Sequence, residues 1–155
     1  MNKRTILVGC DEAGYALKSF LIDKLQSDDR VELVIDKGVP TASDSTAYPN
    51  VGLEVAKGVA AGEAERALLI CGTGIGMAIS ANKVPGIRAT TAHDVYSVER
   101  SVLSNNCQVL AMGGRVVAPE LAWTLLDRWL DLDFDESSPS AAKVQLISDY
   151  EVNHD

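Results

Sequence analysis

The chain has 155 residues, 46% of them hydrophobic, which suits one domain with a sizeable core. A formal net charge of −8 argues against a nucleic-acid partner, which needs a basic footprint, but leaves room for a small anionic substrate at a locally positive site. No apolar run is long enough to span a membrane. Met1-Asn2-Lys3-Arg4 leads straight into a strand, so no signal peptide is expected. The three scattered cysteines Cys10, Cys71 and Cys107 make neither a disulfide framework nor a zinc ribbon, so a cytoplasmic protein is expected.

Thr5–Cys10 reads as a buried first strand, closed by Asp11-Glu12-Ala13-Gly14. From about Tyr15 to Gln26, residues Ala16, Leu17, Phe20, Leu21 and Leu25 share one helical face. Val31–Asp36 is a short second strand. A polar loop follows to Tyr48-Pro49, then a helix from about Asn50 to Ala61. Ala67–Cys71 is the third strand, and Gly76–Asn82 a short helix broken by Val84-Pro85-Gly86. Ile87–Thr91 is the fourth strand; after His93-Asp94 a helix runs to about Ser104. Val109–Met112 is the fifth strand, ended by Gly113-Gly114-Arg115, and Pro119 opens a helix to about Leu130. Asp133–Ser140 is acidic and flexible in character, and a last helix is expected over Ala141–Tyr150 with a loose tail. There is neither a repeat nor a domain linker, so residues 1–155 form a single domain, with 141–155 as its C-terminal helix and tail.

Strands alternating with helices specify an α/β fold: a Rossmann-like five-stranded parallel sheet covered on both faces. Ligands of such sheets bind beyond the carboxyl ends of the strands, where Asp11, Cys71, His93 and Arg115 all fall. Cys71-Gly72-Thr73-Gly74-Ile75-Gly76 joins the third strand to a helix, so several backbone N–H groups point at one spot that favours anions and developing oxyanions. Its spacing is not that of the dinucleotide fingerprint, because position 77 is Met, and no Lys-Ser or Lys-Thr follows to bind a nucleoside triphosphate. A thiolate at Cys71 would be stabilised there; the alternative is a cysteine that only packs.

Gly9-Cys10-Asp11, Tyr48-Pro49, the Cys71–Gly76 turn, Ala81-Asn82-Lys83, Gly86-Ile87-Arg88-Ala89, Asn105 and Gly114-Arg115-Val116-Val117 occur in an order that resembles the type-B ribose-5-phosphate isomerases and their galactose-6-phosphate isomerase relatives. The resemblance implies interconversion of aldose and ketose phosphates through an enediolate, without metal or organic cofactor. It also implies a homodimer, or a pair of such dimers, with sites at the subunit boundary. Cys71 would be the base. Thr73 and the backbone of Gly72, Gly74, Ile75 and Gly76 would hold the oxyanion and the substrate. Asp11, Asn105 and Arg115 would bind substrate, the last near the phosphate. Glu12 stands where the family usually has His. Of the family's arginines near the C-terminus most are absent, and Lys143 is the best surviving match. Arg88, Cys10, Cys107, Trp123 and Trp129 are read as structural.

One departure suggests a substrate. Type-B ribose-5-phosphate isomerases carry a ring-opening His just before the equivalent of Asn105, and here that residue is Ser104. Serine cannot do acid–base work near neutral pH as imidazole can. Either His93 has taken over, or the substrate needs no ring opening. A tetrose 4-phosphate has its O4 esterified and cannot close a furanose, so D-erythrulose 4-phosphate to D-erythrose 4-phosphate is the expected reaction, with His93 in proton relay or placement. A pentose or hexose phosphate isomerase using His93 is the alternative. A non-catalytic sugar-phosphate sensor and a redox protein are the competing classes, the last disfavoured because no second cysteine lies two residues away.

Overall fold

Five strands, β1 (Arg4–Cys10), β2 (Val31–Asp36), β3 (Arg66–Cys71), β4 (Ala89–Thr91) and β5 (Val109–Gly113), form one all-parallel sheet in the order β2-β1-β3-β5-β4. The computed structural model describes residues 2–154; Met1 and Asp155, the outer ends of the expected domain and tail, lie outside the described residues. Parallel strands need crossovers, and helices supply them. They are α1 (Tyr15–Gln26), α2 (Tyr48–Ala60), α3 (Ile75–Ala81), α4 (Val95–Leu103), α5 (Pro119–Leu130) and α6 (Ser140–Asn153). The helices α2 and α3 pack together on one face, while α1 and α4 both pack against α5 on the other.

With both faces covered, the central strands are apolar throughout. Every residue of β3 and β5 is buried, which is why their sequences run without the alternation of a half-exposed strand. The chain winds away from β1 in one direction to β2 and in the other, by way of β3, to β5 and β4. That places the reversal of strand order between β1 and β3. A crevice opens at such a point beyond the strand ends, and Asp11 and Cys71 flank it.

Three elements have a boundary two or more residues from expectation. The helix α2 starts at Tyr48 rather than Asn50, because Pro49 sits in the first turn, where its missing N–H costs no helical bond. The strand β4 begins at Ala89 rather than Ile87. The Asn82 side-chain amide bonds both the N–H and the carbonyl of Ala89, and Gln108 Oε1 takes the Arg88 N–H, while the Arg88 carbonyl accepts the Gln108 and Val109 N–H groups. The last helix extends from Ser140 to Asn153 and buries only Val144, tied to the body where Glu151 accepts the Gly86 N–H at 2.8 Å.

The stretch expected to be flexible is pinned at its start. Asp133 pairs with Arg4 at 2.7 Å. Arg66, only 7% exposed, donates to the carbonyls of Trp129 (2.8 Å) and Leu132 and lies 5.1 Å from the centre of the buried Trp129 ring. Burial, with the charge of Arg4 beside it, pulls the Arg66 pKa down to about 10. This clamp closes the end of the sheet opposite the crevice.

Candidate active site

The turn after β3 is shaped by backbone. Gly74 has φ +80, and a side chain there would also meet the backbone of Met112 at 2.9 Å. This left-handed residue swings its own N–H back onto Cys71, whose Sγ accepts it at 3.1 Å. The Ile75 N–H likewise ends on Thr73 Oγ1 at 3.2 Å. The N–H groups of the turn are therefore not all free: two are spent on the side chains of Cys71 and Thr73. Because Thr73 Oγ1 is accepting, its own proton is left to donate elsewhere. The N–H groups of Gly72 and Thr73 have no hydrogen-bond partner among the described residues.

A second loop holds the first in place. The Gly114 N–H donates to Cys71 O (2.8 Å) and the Arg115 N–H to Gly72 O (3.0 Å). The Arg115 guanidinium lies over Gly72, where a Cβ would come within 3.0 Å of Nη1. Thr91, at the end of β4, donates to Gly74 O at 3.0 Å. His93 Nε2 accepts the Gly113 N–H at 2.8 Å. That bond requires a neutral ring with its proton on Nδ1, and burial, opposed more weakly by Asp94, keeps the His93 pKa below the usual histidine value.

A cleft of about 460 Å³ gathers Asp11, Glu12, Tyr48, Cys71, Thr73 and Arg115 around the glycine turn. Asp11 accepts the Gly14 N–H with Oδ1 (3.1 Å), capping the turn before α1, and its other oxygen has no partner among the described residues. Gly72, Ile75 and Gly76 also line the cleft, whereas Gly74 lies beneath it. Burial pushes Cys10 and Cys107 each up to about 11, too high to be thiolates near neutral pH.

Not every expected residue meets there. His93 is not in the cleft wall. Asn105 lines a separate cleft beside α4 and α6, and Lys143 is exposed on α6, away from Cys71. Tyr48 is the residue the sequence reading left without a role. Its ring packs so closely on the first turn of α3 that a Cβ on Gly76 would fall 2.4 Å from Cε2. The signal was an aromatic residue before a proline at the start of a helix.

Comparison with known proteins places this geometry. The Ribose/Galactose Isomerase family matches residues 6–147. The chain belongs to that family. It is 61% identical over 146 residues to a protein named D-erythrulose-4-phosphate isomerase 2 from Mycolicibacterium smegmatis, covering 94% of this chain and 96% of that one. It is 44% identical over 147 residues to D-erythrulose-4-phosphate isomerase from Pectobacterium atrosepticum, covering 95% of each. Among solved structures, ribose-5-phosphate isomerase B of Clostridium thermocellum superimposes with a TM-score of 0.91 at 40% identity, over 97% of this chain and 99% of that one. The Rossmann-like fold is common to this family of isomerases.

Proposed function

We propose that the protein interconverts D-erythrulose 4-phosphate and D-erythrose 4-phosphate. Cys71 is the base. Its Sγ, held by the Gly74 N–H, removes a proton from the carbon next to the carbonyl. The enediolate oxygen is held by the Thr73 hydroxyl and the free N–H groups of Gly72 and Thr73; the proton of the neighbouring hydroxyl passes to that oxygen, and the S–H returns its proton to the former carbonyl carbon. Loss of one such donor typically costs about 3 kcal/mol in the transition state. Asp11 and Glu12 accept sugar hydroxyls, and Arg115 offers its fork to the anionic end. No step calls on a metal or an organic cofactor.

The observation that carries the substrate is Ser104 at the end of α4, where ring opening would need a titratable group. His93 does not fill that gap in a simple way, because its Nε2 is engaged by the Gly113 N–H and its ring stands outside the cleft wall. An open-chain tetrulose removes the need. Relatives bearing that name at 61% and 44% identity support the same reading.

The working unit is a cytoplasmic homodimer with shared sites. Two features support it: Asn105 and Lys143 lie away from the Cys71 cleft of their own protomer, and α6 leaves Leu146, Ile147, Tyr150 and Val152 exposed. A second copy would bring Asn105 and Lys143 to the cleft. The test is kcat/KM on D-erythrulose 4-phosphate and on D-ribulose 5-phosphate, side by side. A hundredfold preference for the tetrulose, about 2.7 kcal/mol, supports the proposal. Preference for the pentulose overturns the substrate and returns ring opening to His93, and binding of both without turnover leaves a sensor.

A further inference from the structure

His93 is half-buried and stands outside the wall of the Cys71 cleft, yet the chain anchors it on both sides. Ala92, before it, donates its N–H to Ala111 O at 3.2 Å. Asp94, after it, caps α4, its Oδ2 accepting the Ser97 N–H at 2.7 Å. The imidazole is thereby presented to one place, the end of β5.

Along β5 the backbone alternates its partners. Val109 and Ala111 bond towards β4, through Arg88 O and the Ala92 N–H, whereas Gly114 bonds towards β3, through Cys71 O. Gly113 therefore points its N–H to the β4 side, but β4 has ended at Thr91. The donor lacks a backbone acceptor there, and His93 Nε2 takes it at 2.8 Å. An Nε2 that accepts has its lone pair occupied and holds no proton, so it cannot join a proton transfer while that bond is made.

Gly113 is where this bond reaches the chemistry. Its backbone lies so close under the glycine turn that a methyl carbon would fall 2.7 Å from Thr73 Cα and C. Its carbonyl accepts the Val116 and Val117 N–H groups at 2.9 and 3.0 Å, closing the loop that carries Gly114 and Arg115. That loop holds the carbonyls of Cys71 and Gly72. From the same strand end, Thr91 donates to Gly74 O at 3.0 Å. The end of β4 thus grips the turn twice, directly at Gly74 and through Gly113 beneath Thr73.

We infer that His93 is a positioning residue for the proton transfer: by holding the Gly113 N–H it fixes the floor that sets Thr73 and the N–H groups of Gly72 and Thr73 against Cys71 Sγ. This rests on the isomerase reading of the preceding section. Loss of the acceptor leaves a donor unpaired beneath the turn, and the Gly113 backbone must tilt towards water to satisfy it. A shift approaching 1 Å in the oxyanion donors costs about 10²-fold in rate. The loss falls on kcat, because those donors act at the reacting carbons.

The test measures kcat and KM of the full-length protein on D-erythrulose 4-phosphate, or on D-ribulose 5-phosphate if the wild type prefers it. His93→Leu has no acceptor and should lower kcat by about tenfold to a hundredfold, with KM within about twofold of wild type. His93→Gln can place an oxygen where Nε2 stands and should recover most of that loss, although it cannot move a proton. His93→Asn is polar but one methylene shorter than Gln, so it should resemble His93→Leu, and it serves if the Leu variant folds poorly. Amide hydrogen exchange follows the brace without turnover: the Gly113 and Gly74 N–H groups should exchange faster in the Leu and Asn variants and as in wild type in His93→Gln. Wild-type kcat in both His93→Leu and His93→Asn overturns the inference. So does a Gln variant as slow as the Leu one, which would make the imidazole itself the acting group. A wild type that isomerises neither sugar phosphate overturns the isomerase reading instead; exchange at Gly113 and Gly74 that still depends on residue 93 then upholds the brace, and exchange that does not overturns it.

Discussion

Gly113→Ala tests whether the glycine turn after β3 depends on a backbone floor. Gly113 does not have a positive φ, so alanine is free to adopt its torsions and the effect is purely steric. The new methyl carbon would lie 2.7 Å from Thr73 Cα and C and 2.8 Å from Gly72 O. All three are backbone atoms with no rotamer to change, so the turn must withdraw by about 0.7 Å to reach ordinary contact. Overpacking of this kind costs about 2 kcal/mol, a fall of roughly 4–8 °C in Tm for a chain of this size. The kinetic effect is larger, because Thr73 Oγ1 and the N–H groups of Gly72 and Thr73 move together relative to Cys71. A displacement approaching 1 Å costs about 10²-fold. Steady-state isomerisation of D-erythrulose 4-phosphate, with kcat and KM separated, and a thermal melt read both effects. The loss should fall on kcat. Wild-type kcat with an unchanged Tm would refute the claim that the packing of Gly113 under Thr73 sets the geometry.

Cys71→Ala should abolish measurable turnover while calorimetric binding of the substrate persists; residual turnover near wild type would move the base to another residue. His93→Gln should flatten the acid limb of stability. The neutral imidazole accepts the Gly113 N–H and its folded pKa is lowered. Its contribution is therefore complete above the unfolded value near 6.5 and is lost as pH falls through the folded one. Glutamine can accept the same bond without titrating, so Tm between pH 7 and 5 should drop less steeply than in the wild type; equal slopes would remove His93 as the cause. Arg66→Ala should cost about 3 kcal/mol, or roughly 6–12 °C in Tm, by leaving the Trp129 and Leu132 carbonyls buried and unpaired, with kcat untouched because the clamp lies at the far end of the sheet. A change below about 1 kcal/mol would show that water replaces the guanidinium there.

The fold was legible because buried parallel strands announce themselves as unbroken apolar runs, and β1, β3 and β5 are such runs. The co-location of Asp11, Cys71 and Arg115 followed from strand ends alone. What could not be read lies in side chains that stand in for backbone. The Asn82 and Gln108 amides shorten β4, and neither leaves a periodic trace. The acceptor bond of His93 is equally invisible, since a histidine after a strand reads the same whether it faces substrate or a neighbouring N–H.

Gly74 against Met112 and Gly113 against Thr73 have a consequence for how such a protein changes over time. Almost any substitution at these contacts adds atoms where there is no space, so drift there is closed off. The cleft walls, by contrast, are side chains such as Glu12, Tyr48 and Arg115, each replaceable without moving the floor. A lineage can therefore exchange one sugar for another by rewriting its walls while the proton-transfer step is inherited unaltered.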